Sequence, residues 1–274
     1  MGTERGKRES MDLTTVIGLL LAWGALMGAL WMEGGQVRAL INIPAALLVF
    51  GGTMGAATIS FRMSQIMEIP NILRRAFTEK MQDVGAVTRL LVRLAERARK
   101  EGLLALEEDC RRIDDEFLKR GLRLVIDGTD PELVREVLVT EIHLHQSRNR
   151  VGESMFTTLG GFAPTLGIIG TVMGLIHMLA NLSDPGKMGP LIAAAFIATL
   201  YGVSSANLIF LPIANKLRMR SSEEAMLHEV MLEGVLAIQA GDNPRMVEEK
   251  LRAYLSPTRI RAVPARPGIP VSTR

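Results

Sequence analysis

Four stretches of this chain contain no Asp, Glu, Lys or Arg: Leu13–Met32, Ala39–Phe61, Ser154–Ser183 and Met188–Asn215. Each reaches or exceeds the roughly 20 residues that a helix needs to cross about 30 Å of hydrocarbon. A soluble helix of that length keeps a polar face toward water. Four without one predict four transmembrane helices, because a segment in lipid must satisfy its backbone polar groups internally. The expected fold class is therefore all-α: a polytopic membrane protein with four transmembrane helices and a helical cytoplasmic domain. The length of 274 residues and a positive mean hydropathy fit one membrane domain with a soluble part.

The loop charges orient these spans. Arg38 is the only Lys or Arg between spans one and two, and Lys187 the only one between spans three and four. The other 30 of the 32 lie in the N-terminus, the middle loop and the tail. The positive-inside rule then puts both termini and the middle loop in the cytoplasm. The net charge of +3 follows from that topology. No basic patch interleaved with aromatics points to nucleic acid. The single cysteine, Cys110, has no disulfide partner and no metal-ligand companions.

The organisation expected from these patterns has six parts. Residues 1–11 form a cytoplasmic arm, with either Met1 or Met11 as the start, and no cleavable signal peptide is evident. Residues 12–61 hold spans one and two, 62–153 a cytoplasmic helical domain, and 154–215 spans three and four. Residues 216–256 form C-terminal helices, and the Pro/Arg-rich 257–274 a disordered tail. Within the middle loop, Val84, Val87, Leu91, Leu94 and Ala98 make one helical stripe. Leu106, Cys110, Ile113 and Phe117 make another, with Gly102 before it and Gly121 after it. Asp130 reads as a helix cap and Pro131 as the first helical residue, and that helix has no stop before span three. Gly24 and Gly28 in span one, and Gly51 and Gly55 in span two, have spacings that allow close helix approach.

Span three carries Pro164, several glycines and one hydroxyl deep inside, Thr171, which lies between Gly170 and Gly174. Thr199 is its counterpart in span four. A membrane threonine ordinarily bonds the carbonyl four residues back. A hydroxyl beside backbone carbonyls can also replace part of a small cation's hydration shell. Pro164 and Pro212 each remove a helix hydrogen bond, giving either a plain kink or one that changes as an ion passes. Arg99 and Lys100 lie before Gly102, and Glu107, Glu108 and Asp109 after it. They are either solvated faces or a charged docking patch. His143, His145, His177 and His228 make no site by spacing. No phosphate loop, HExxH motif or nucleophile–base arrangement is present, so the chain reads as no enzyme and as needing no cofactor.

Eight strings carry a family resemblance: MDLTTVIGLL at Met11, ARKEGLLALEED at Ala98, DGTDPELVREVL at Asp127, APTLGIIGTVMGLIHML at Ala163, AFIATLYG at Ala195, LPIANKL at Leu211, and GVLAIQAGDNPR with KLRAYL over Gly234–Leu255. Together they resemble the A subunit of the bacterial flagellar motor stator, the MotA/PomA family of the MotA/TolQ/ExbB superfamily. The resemblance implies a pentamer around two copies of a single-span MotB/PomB-type partner, whose membrane Asp supplies the carboxylate absent here. It further implies that ion flow turns the ring and pushes the rotor switch protein FliG. By position, Arg99, Lys100, Glu107 and Glu108 match rotor-contact charges, Pro164 and Pro212 the coupling prolines, and Thr199 the hydroxyl of span four. Thr171 matches sodium-type members, where proton-type members commonly have Ala, so transient sodium near Thr171 with the partner's Asp is favoured over a proton and no fixed metal is expected. Asn42 stands where some sodium-type members have Asp, and Cys110 where a third acidic rotor residue would be. The other superfamily reading is an ExbB/TolQ-like energiser of outer-membrane processes, which typically has three spans.

Overall fold

The computed structural model describes residues 10–11, 13–79 and 83–254. The arm expected over 1–11 falls almost wholly outside the described residues, as do Leu255 and the tail at 257–274. The described chain is helical throughout, apart from an antiparallel pairing of Ser10–Met11 with Thr78–Glu79. Its helices are α1 (Leu13–Met32), α2 (Ile43–Ala46), α3 (Gly52–Ser60), α4 (Met63–Ile66), α5 (Ile69–Phe77), α6 (Val84–Glu101), α7 (Leu106–Arg112), α8 (Glu116–Ile126), α9 (Pro131–Ala180), α10 (Pro185–Ser205), α11 (Leu211–Gln239) and α12 (Pro244–Arg252). Two π turns, Leu47–Gly51 and Ala206–Phe210, join α2 to α3 and α10 to α11.

Four helical segments are long and apolar enough to cross a membrane: α1, the α2–α3 run, α9, and the run from α10 into α11. They coincide with the four charge-free stretches. α9 runs unbroken for 50 residues from its N-terminus through the third stretch, as the absence of a stop signal predicts. Asp130 accepts from the Glu132 amide at 2.9 Å, and Gly128 takes a positive φ in the preceding turn.

The chain divides into two compact units, Met1–Lys80 with Arg148–Arg220, and Met81–Ser147 with Ser221–Arg274. The first holds the apolar spans. Alanines interleave with larger side chains in its packing: Ala57, Ala76, Phe156, Leu159, Ile213 and Ala214 form one buried cluster, and Ala45, Val49 and Ala198 another. Leu21, Trp31, Ile59, Ile176 and Phe196 are exposed along the same spans. Such exposure is costly in water and favourable against lipid or another apolar chain.

The second unit is a helical domain with a conventional aliphatic core of Leu91, Leu106, Leu122, Leu138, Val235 and Leu251, all fully buried. Its local structure differs from the expected helix pattern in one place. The stripe Leu106, Cys110, Ile113 and Phe117 belongs to two helices, because Ile113 is extended and Asp115 starts α8 by accepting from the Leu118 amide at 3.0 Å. The 3–4 spacing persists because both helices face one core. Gly121 sits within α8 and does not end it. A Cβ there would lie 3.1 Å from Leu138 and 3.2 Å from Val235, so glycine is kept for packing.

In the first unit the tightest approach is between α9 and α10. A Cβ on Gly202 would collide with the backbone carbonyl oxygen of Ala163, which has no freedom to move aside. Gly161, on the same helix as Ala163, faces open space. Gly202→Ala should therefore sharply lower the membrane level of the protein, read by immunoblot, whereas Gly161→Ala should leave it near wild type.

Candidate functional site

α9 and α10 meet along a face of small residues: Ala163, Gly167, Gly170 and Gly174 on one helix, Ala195, Ala198 and Gly202 on the other. A Cβ on Gly167 would lie 2.9 Å from the Ala198 carbonyl oxygen. Cβ atoms on Gly170 and Gly174 would each lie 2.6 Å from the Cβ of Ala198 and Ala195, respectively. Even a methyl group at these glycines would force the helices apart.

This approach brings Thr171 and Thr199 into hydrogen-bond contact. Thr171 Oγ1 lies 3.2 Å from its own i−4 carbonyl, Gly167 O, and 3.0 Å from Ala195 O across the interface. Thr199 Oγ1 lies 3.4 Å from Gly167 O. Each hydroxyl has one proton, so the pair has two hydrogens for four oxygen contacts. Simple back-bonding accounts for one contact of Thr171 and none of Thr199, whose own i−4 carbonyl, Ala195, receives Thr171. Both hydroxyls are partly buried. Four oxygens with surplus lone pairs thus converge between two apolar helices, and the runs they lie in contain no carboxylate. An incoming cation would find oxygen ligands there once the two hydroxyls part.

The prolines bracket this contact in sequence without joining it. α9 runs straight on through Pro164, whose missing amide deprives Gly160 O of its helical donor. Pro212 is the second residue of α11, directly after the π turn Ala206–Phe210. There the Leu211 amide reaches back five residues to Ala206 O. The π turn absorbs the irregularity that a proline imposes on the following helix.

The charged patch lies in the other unit. Arg99 and Lys100 end α6, exposed and with no ion-pair partner among the described residues. Glu107 and Glu108 begin α7 and pair with Arg111 and Arg112 one turn on. Sequence reasoning missed Arg97, which holds the corner together: it reaches Glu101 at 3.1 Å, Asp109 at 2.9 Å and Glu108 at 3.7 Å. Cys110 is buried with its thiol directed at Lys119 O. Asn42 accepts from the Ala45 amide at 3.0 Å and so caps α2.

Two histidines that looked unrelated also meet. His228 stacks on Phe117 at 4.4 Å between centroids and meets His145 edge-on at 5.4 Å. No spacing rule reaches across the 83 positions between His145 and His228. Among the described residues no cluster of His, Cys, Asp and Glu could hold a metal ion.

Four helical segments long and apolar enough to cross a membrane, two of them close-packed with hydroxyls at their contact, mark a multi-pass membrane protein. Comparison with known proteins agrees. The model of the MotA/TolQ/ExbB proton channel family matches residues 109–230, and that of Motility protein A N-terminal matches 16–102. Motility protein A of Bacillus subtilis is 39% identical over 246 residues, covering 89% of this chain and 91% of its own. Chemotaxis protein PomA of Vibrio alginolyticus is 37% identical, covering 90% and 96%. The structure of the flagellar MotAB stator complex from Bacillus subtilis superposes with a TM-score of 0.85 at 38% identity, over 90% of this chain and 98% of that one. The chain belongs to the MotA/TolQ/ExbB family, alongside the motility A proteins. It is therefore a channel-family subunit and not an enzyme.

Burial, and secondarily the neighbouring His145, depresses the His228 pKa below the usual 6.5, against the opposing pull of Asp115, Glu224 and Glu141. As pH falls, the unfolded chain takes up this proton first, so stability drops from about pH 6.5 downward until the depressed folded value is reached. Melting temperature of the purified protein should fall over that window, and His228→Gln should flatten the fall.

Proposed function

We propose that this chain is the ion-conducting A-type subunit of a bacterial flagellar stator. In this reading it lies in the inner membrane with both termini cytoplasmic and works with a MotB/PomB-type single-span partner. The structures it is similar to are MotAB complexes, and its relatives are named motility proteins, which favours a stator over an ExbB/TolQ-like energiser. Five copies surround two partner chains, and cation flow turns the ring. The observation that carries this reading is the convergence of Thr171 and Thr199 with two backbone carbonyls in a wall that lacks carboxylates. Such a wall offers oxygen ligands and requires a negative charge from elsewhere, which the partner's membrane Asp supplies.

The matched family is described as proton channels. For this chain we favour sodium, because a proton needs only the carboxylate and water, whereas sodium needs further oxygens to replace its hydration shell. Thr171 provides one. No fixed metal or cofactor takes part, and the sodium is cargo. Pro164 and Pro212 act as the coupling points where helix hydrogen bonding is already interrupted.

The rotor contact lies at the α6–α7 corner. Arg99 and Lys100 have no competing partner. Glu107 is held by an exposed i,i+4 pair with Arg111, and Glu108 by one with Arg112 and a longer contact to Arg97, the i,i+4 pairs being worth about 0.3–0.5 kcal/mol each. Those pairs exchange readily for opposite charges on FliG, and Arg97 keeps the corner in shape meanwhile.

Thr171→Ala should abolish sodium-dependent motility, or raise the half-saturating sodium concentration about tenfold, the factor for a ligand worth about 1.4 kcal/mol. Swimming speed against external sodium, with this stator the sole one in the cell, measures it. Unchanged sodium dependence would remove Thr171 as a ligand. Reversing Arg99 and Lys100 to Glu should reduce torque on a tethered cell while membrane assembly stays intact. Undiminished torque would return that patch to a merely solvated face.

A further inference from the structure

Tyr201 is not among the residues assigned a role above, yet its hydroxyl joins the outer start of span two to the helix that carries Thr199. Tyr201 Oη accepts from the Asn42 amide at 3.2 Å and donates to the carbonyl of Leu40. The backbone there is not helical: Ile41 and Asn42 are both extended, between a 3-10 turn and α2. The Ile41 amide reaches Arg38 O and the Asn42 carbonyl accepts from Ala46, but the Asn42 amide and the Leu40 carbonyl fall at the break between the two turns, and in an apolar surrounding each needs a partner. A single phenol satisfies an amide and a carbonyl together. The side chain of Asn42 fixes the next turn by capping α2.

The same helix turn has two working faces. Tyr201 follows Thr199 by two residues, about 200° around the helix. Thr199 therefore looks at α9 while Tyr201 looks at span two. Between them Ala198 is where three helices touch: a Cβ on Gly170 would lie 2.6 Å from Ala198 and 3.0 Å from Leu48 of span two. Phe50 meets the Tyr201 ring at 6.0 Å, and Ala45 and Val49 pack in the same cluster. Span two is thereby pinned to the back of the helix whose front holds the hydroxyl pair.

We infer that Tyr201 is a positioning residue for the cation path: its clamp on Leu40 and Asn42 sets the rotation and depth of α10, and so the separation of Thr199 from Thr171. This rests on the reading of Thr171 and Thr199 as path residues. It assigns Tyr201 no contact with the ion.

Tyr201→Phe keeps the ring packing and deletes the clamp. In cells whose only stator carries the variant, membrane level and maximal speed at saturating sodium should stay near wild type. The half-saturating sodium concentration should shift by about fivefold, the factor for one neutral hydrogen bond. A purely structural anchor would instead lower level and maximal speed together and leave half-saturation unchanged, and that result overturns the inference. Should Tyr201→Phe fail to accumulate, Asn42→Ala, which removes only the cap that holds the clamped turn, is expected to shift half-saturation in the same direction. No shift in that variant overturns the inference as well. Thr171→Ala run in parallel separates the two levels. If Thr171→Ala changes sodium dependence and the Tyr201 and Asn42 variants do not, only the role of Tyr201 fails. If Thr171→Ala changes nothing, the underlying path reading fails with it.

Discussion

Between α9 and α10 the side chains are so small that backbone meets backbone. Gly167 and Gly202 each lie where a methyl group would strike the opposite main chain. In lipid no hydrophobic force drives helices together, so such contact relies on dispersion and on hydrogen bonds that form only at short range. The cross-helix bonds of Thr171 and Thr199 are of that kind. Each depends on the other: without the glycines the hydroxyls could not meet, and without the hydroxyls the close face would have little polar specificity.

The irregularities of the spans lie around this contact. A π turn precedes Pro212, another follows the cap at Asn42, and Pro164 interrupts the hydrogen-bond ladder of α9. Each is a place where a helix has already given up an ideal bond, so a small rotation there costs less than in an unbroken helix. Under the proposed reading, in which the chain moves as an ion passes, such places lie near the path and in helices that continue on either side.

The soluble unit follows ordinary rules. Large aliphatic residues fill its core, and at Gly121 and Gly234 the side chains of Leu138, Val235 and Leu91 leave no room for a Cβ. Its exposed corner is organised by Arg97, which ties three acidic side chains and leaves Arg99 and Lys100 without partners among the described residues. The organising charge and the available charges are thus different residues of one basic run.

Hydropathy, charge asymmetry and turn chemistry are properties of contiguous residues. The sequence by itself therefore determined the four spans, the all-helical class, the unbroken α9 and its start after Asp130. The matching strings singled out Thr171, Thr199 and the two prolines. Where a local rule met a competing demand, it misled: the stripe from Leu106 to Phe117 spans two helices. What only the tertiary structure decided is which residues meet. The Thr171–Thr199 contact, the Tyr201 clamp reaching back to Leu40 and the His145–His228 edge contact join residues 28, 161 and 83 positions apart. Such meetings depend on the register of one packed helix against another, and register is fixed by interlocking shape, which no local pattern encodes.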